Sequence, residues 1–67
     1  MDNPTTVDVF VWSKTMRAAL VSRDEDSEDD AEWIAFSLIQ EDPKTFMSGD
    51  PARITIPEWK AIEMGLV

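Results

Sequence analysis

Between Val7 and Trp12 the chain alternates with the period of a β-strand: Val7, Val9 and Val11 fall on one face, Phe10 and Trp12 on the other. β-branched and aromatic residues suit a pleated, half-buried surface, so a strand is expected there. Ser13-Lys14-Thr15 supplies polar residues suited to a turn, and Met16 to Ser22 follows as a second segment. Its Ala18-Ala19-Leu20-Val21 fits helix or strand; a two-turn helix would lack a clear stop and be marginal alone, which favours strand. Trp33-Ile34-Ala35-Phe36-Ser37-Leu38-Ile39 is a third apolar run. Asp29 or Asp30 could cap a helix there, but the Trp, Ile and Phe content points to a strand.

Asp42-Pro43 and Ser48-Gly49-Asp50-Pro51 bracket a loop, because the residue before each proline is pushed out of the α region. Phe46 and Met47 are expected to fold that loop back onto the core. Arg53-Ile54-Thr55-Ile56 alternates as a short strand, and at Pro57 the period switches to that of a helix reaching Met64. Trp59, Ile62 and Leu66 share one helical face, Glu58 lies near the positive end of the helix dipole, and Gly65 suits a left-handed cap. The pattern predicts one α+β domain over residues 1–67: a small antiparallel sheet of three to four strands, connected as a meander, with one C-terminal helix. Trp33 and Trp59 are expected in the core, and Trp12, at a strand end, as a partly exposed interface anchor.

Charge changes the picture in the middle of the chain. Asp24, Glu25, Asp26, Glu28, Asp29, Asp30 and Glu32 put seven carboxylates into nine residues, with no Lys or Arg between Arg23 and Lys44. Mutual repulsion disfavours regular structure in this run, which reads as a hairpin loop or a solvated strand end. Laid out at roughly 3.3 Å per residue, it would carry one charge about every 4 Å, close to the roughly 3.4 Å spacing along one DNA strand. Glu41 and Asp42 would extend the acidic surface.

With 14 acids against 6 bases the formal charge is −8. Nucleic acid and anionic membranes should repel such a chain, and basic proteins should attract it. Folding 67 residues buries only about 60% of the extended surface, and without cysteine or histidine there is neither disulfide nor imidazole ligand to staple the fold. Stability must come from packing, for which 43% hydrophobic residues, three Trp and three Phe among them, suffice. The segment from Met1 to Thr6 lacks the positive and apolar regions of a signal peptide, and no 18-residue apolar stretch occurs, so a soluble monomer is expected.

No catalytic constellation is visible. Ser13 and Lys14 are adjacent and would point to opposite faces of a strand, and acid–base work by paired carboxylates needs a desolvated pocket that a chain this short rarely builds. A non-enzymatic role with no cofactor is expected. Asp24, Asp26 and Glu28 match positions one, three and five of a calcium loop, but Asp29 stands where glycine is needed and Ala35 where a bidentate Glu is needed, so no metal is assigned.

For the acidic run, two readings stand: a solvated loop that keeps a small protein soluble, and a surface that meets a basic partner. Its placement inside the chain, between two apolar segments, would preorganise it and lower the entropy lost on binding.

Trp33-Ile34-Ala35-Phe36-Ser37 and Ile54-Thr55-Ile56-Pro57-Glu58-Trp59-Lys60-Ala61-Ile62-Glu63-Met64-Gly65-Leu66 resemble small phage and prophage proteins that pair W-(I/L)-P-x-S with a terminal P-E-W-x-A-x-x-x-G-L. The match covers the second half, and Ala35 departs from it where proline is usual. Length, acidity and this C-terminus together resemble small phage-encoded anti-CRISPR proteins, most nearly those directed at type I surveillance complexes, with type I-C the suggested subtype. The resemblance implies an inhibitor acting in the host bacterial cytoplasm. It would place Asp24 to Glu32, extended by Glu41 and Asp42, in the basic DNA-binding surface of a CRISPR surveillance complex. The alternative is a phage accessory module that docks a protein partner through an apolar edge strand, with Phe10 and Trp12 as the important residues.

Overall fold

A computed structural model describes residues 3–66; Met1, Asp2 and Val67, including part of the segment read for a signal peptide, lie outside them. The chain forms strands β1 (Pro4–Lys14), β2 (Ala18–Ser22), β3 (Glu32–Ala35) and β4 (Pro51–Pro57), followed by helix α1 (Glu58–Glu63). The four strands make one antiparallel sheet in the order β3-β2-β1-β4. The architecture is therefore a small α+β fold, as the pattern predicts, but the expected meander is corrected. Three strands run consecutively, and the fourth returns by a long connection to lie beside the first, which is a Greek key. β1 is long enough to serve two neighbours: its first half, Pro4 to Phe10, pairs with β4, and its second half, Phe10 to Lys14, with β2.

The alternation in β1 sets the two faces. Val7, Val9 and Val11 point inward with Ala19, Val21, Ile34, Ile54 and Ile56, all buried. Covering them are Ala61 from α1 and Ile39 and Phe46 from the segment that crosses to β4. Phe46 thus folds back as expected, whereas Met47 points to solvent.

The third apolar run stays in the sheet only as far as Ala35 and then turns through a 3-10 segment, Phe36–Leu38. A strand to Ile39 is corrected for a topological reason. α1 has six residues and covers part of the inner face, so the chain must leave the sheet early to lay Ile39 and Phe46 under the remainder.

Pro57 ends β4 and caps α1, one position earlier than its expected place inside the helix. No side chain caps α1; instead the Glu58 amide donates to the Asn3 carbonyl at 2.8 Å. At the other end Leu66 N donates to Ala61 O and Gly65 N to Ile62 O, with Gly65 at φ +72°. These bonds make a Schellman cap, whose left-handed residue glycine accommodates without strain.

The expected inward face of α1 is corrected. Ala61 is the helical residue that enters the core, while Trp59 is 45% and Ile62 58% exposed. Leu66 does pack on the core, with Met64. A short helix lying close to the sheet has room for a methyl group and not for an indole. Trp33, also expected inside, is 49% exposed because its neighbour Ile34 takes the inward position of β3.

Candidate functional site

The acidic run is the connection between β2 and β3, and it is folded. Asp24 Oδ1 accepts from the Asp26 amide at 3.0 Å and from Ser27 Oγ at 2.7 Å, a side-chain-mimicked turn. Asp30 N then donates to Ser27 O, and Ala31 N to Glu28 O, closing a 3-10 turn over Glu28–Asp30. The bonds from Ser27 and Asp26 hold the Asp24 carboxyl below its ordinary range, aided by the Arg23 charge and outweighing slight desolvation.

The expected extended layout of the charges is corrected, because these turns fold nine residues back between neighbouring strands. The charge forms a compact knob. Asp24, Glu25, Asp26, Glu28, Asp29, Asp30 and Glu32 are all exposed, and none belongs to an ion pair among the described residues. Outside the run from Asp24 to Glu32, seven acids face six bases, so nearly all of the net charge resides in that run.

The loop is anchored through Ser22, the last residue of β2 and a buried one. Ser22 Oγ accepts from Trp12 Nε1 at 2.8 Å and donates to the Asp24 carbonyl. Trp12 reaches this position because β1 bulges. Val11 faces Val21 and Ser13 faces Leu20, so Trp12 is the extra residue between them. The bulge also turns Lys14 to the inner side, where its ammonium donates to the carbonyls of Phe46 at 2.6 Å and Pro43 at 3.2 Å. Ser13 and Lys14 are thus strand residues, and the turn begins at Thr15.

Glu41 and Asp42 do not join the acidic loop. Glu41 lies against β4: its carboxylate accepts from Thr55 N and Thr55 Oγ1, both at 2.7 Å, and Gln40 N donates to Thr55 O. This segment seals part of the outer edge of β4, an edge strand that would otherwise expose unpaired backbone. Burial pushes the Glu41 carboxyl up, but the two Thr55 bonds pull it below its ordinary value and prevail. Asp42 caps the 3-10 turn Pro43–Thr45 by accepting from Lys44 N at 2.9 Å. Both acids have structural work in the fold.

Trp12, the expected interface anchor, is half-buried with its ring edge-on to Phe10 at 4.8 Å. Phe10, Trp12, Leu20 and Trp33 share the outer side of the sheet, away from the packed core. This face was legible for Phe10 and Trp12, but Trp33 was missed. The signal was the Trp33-Ile34 adjacency, which allows only one of the two inward.

A cleft of about 350 Å³ separates Asp29, Asp30 and Glu32 from Met64, Gly65 and Leu66. Among the described residues, no group of three or more Asp or Glu is arranged to hold a metal ion. No described helix is long and apolar enough to cross a membrane. No family model, no curated protein and no solved structure matches the chain.

Proposed function

We propose that this chain is an inhibitor that mimics DNA phosphates and blocks target-DNA binding by a bacterial CRISPR surveillance complex. The observation that carries the proposal is the β2–β3 loop, in which six exposed carboxylates, none in an ion pair among the described residues, sit on a hydrogen-bonded framework, with Glu32 at the start of β3 as a seventh. Preorganised charge loses little entropy on binding, and a basic DNA-binding groove supplies the complement. The compact shape favours a short recess, such as the site where the complex reads the motif beside its target, over the length of a heteroduplex channel. The protein acts by occupying that basic surface and does not itself bind nucleic acid.

The test is competition. Guide-loaded type I-C surveillance complex is mixed with labelled target DNA and increasing protein; DNA is displaced while guide RNA stays bound, and displacement weakens as salt rises. Target DNA bound as tightly at saturating protein overturns groove occupation.

A second reading, an accessory module without inhibitory action, is favoured by the position of β3 at the border of the sheet, where it pairs with β2 alone. A partner strand could add there. Phe10 and Trp12 would not take part in such pairing, since β1 has strands on both sides. Capture from phage-infected host lysate separates the readings: a mimic recovers a nucleic-acid-binding complex, and an accessory module recovers a phage protein.

A further inference from the structure

We infer that the open face of the sheet is the docking surface of this protein, and that its partner is a protein patch with an apolar centre and an Arg- or Lys-rich rim. The inference rests on the phosphate-mimic reading and adds where, and with what chemistry, the contact is made. Trp33 on β3 stands opposite Leu20 on β2; Trp12 and Phe10 on β1 and Pro51 on β4, opposite Phe10, continue the stripe across all four strands. Covering elements lie on the other side, against the valine and isoleucine face. Half of the Trp33 surface is left open on an edge strand, an expensive exposure for an indole that docking would remove.

Charge selects the occupant. The stripe borders the acidic loop directly through the Trp12–Ser22–Asp24 bonds; Glu32, opposite the core residue Val21, faces the other side of the sheet and takes no part in this border. At Phe10 and Pro51 the apolar floor opens into a hollow of about 290 Å³ whose rim holds Asp8, Arg23, Asp24 and Glu25. Asp8 is paired with Arg53, and Asp24 lies in the field of Arg23 with one carboxylate oxygen held by the turn, which leaves Glu25 as the acid that faces a partner cation. A Lys or Arg side chain fits such a hollow, its stem on the apolar floor and its head at that carboxylate. A second copy of the chain is a poor occupant, since each copy carries −8. Aromatic anchors inside a charged rim are the arrangement of a protein interface hot spot, and charge alone would not require them.

The experiment measures binding to purified, guide-loaded type I-C surveillance complex by four folded variants, each checked by circular dichroism and melting. They are Trp33→Ala, Trp33→Phe, Ile62→Ala on the opposite side of the molecule, and a loop variant with Glu25, Asp26, Glu28, Asp29 and Asp30 changed to their amides. Trp33→Thr, a good strand former, replaces Trp33→Ala if the latter is unstable. Trp33→Ala should weaken binding about tenfold or more, with Trp33→Phe recovering most of it and Ile62→Ala staying within about twofold. Parental affinity for Trp33→Ala beside a large loss for the loop variant overturns the docking face and leaves the mimic reading standing. Parental affinity for the loop variant removes the mimic reading and this inference with it, as does failure of the unaltered protein to bind. An equal loss for Ile62→Ala, or a dimer in solution that Trp33→Ala dissolves, also overturns the proposed face.

Discussion

The indole of Trp12 and the hydroxyl of Ser22 meet at 2.8 Å, and through that bond the aromatic face of the sheet holds the acidic loop. Ser22 is the one buried polar residue among those described, and its hydroxyl is both acceptor and donor. Ser22→Ala leaves the indole N–H and the Asp24 carbonyl without this partner. The expected cost is about 1–3 kcal/mol by urea unfolding, with faster amide exchange at Asp26 and Ser27. Unchanged exchange there would show that the loop holds its shape by its own turns.

Neutralising Glu25, Asp26, Glu28, Asp29 and Asp30 with Asn or Gln keeps side-chain size and removes five mutually repelling charges, while Asp24 is spared because its carboxylate carries the turn. Thermal stability should hold or rise. Affinity for the surveillance complex should fall by at least about a hundredfold, and its salt dependence should flatten. A variant that binds and inhibits at the parental concentration would assign the loop to solubility.

Glu41 makes stability depend on acid. Its folded carboxyl is lowered from an ordinary value of 4.5, so its contribution is full above that value and is lost as pH falls through the lower folded value. The stability gap between the parent and Glu41→Gln should therefore be widest near neutrality and close progressively as pH falls below the ordinary value of 4.5 and through the lower folded value. Glu41→Ala uncovers Thr55 N on β4 and should cost about 1–2 kcal/mol at neutral pH. Denaturant melts from neutral pH into acid measure both, and a gap that widens in acid would contradict the bond scheme.

Trp59 and Ile34 test the two sides of the packing. Ile34 is fully buried and Trp59 nearly half exposed, so Ile34→Ala should cost about 2–5 kcal/mol and Trp59→Ala about 1 kcal/mol. Similar losses would place the indole in the core after all.

How far the fold could be read depended on which residues carry a local signal. Val7, Val9 and Val11, the switch of period at Pro57 and the left-handed Gly65 each state their role within a few residues, and each took that role. The place of β4 beside β1 is not written locally, because pairing between Pro4 and Pro57 spans nearly the whole chain. The bulge at Trp12 was invisible for a related reason: it depends on register with β2, and alternation within β1 cannot report it. Trp33 and Trp59 lie outside the core because the second layer, a six-residue helix and one crossing segment, covers too little of the sheet to take two indoles. In the loop, charge density was plain from the sequence, but the Asp24 turn makes it compact. Glu41 and Asp42 differ from the loop acids only by their partners, Thr55 and Lys44, which no nearby pattern announces.

Because β1 sits between β2 and β4, the first strand to be made is completed by the last. Until residue 57 is available, the Pro4 to Phe10 half of β1 has a bare edge, and the valines behind it lack Ile54, Ile56 and Ala61. A chain interrupted before β4 therefore leaves an apolar strand open to pairing with other chains, and closing the sheet waits on contacts far apart in sequence, which slows folding.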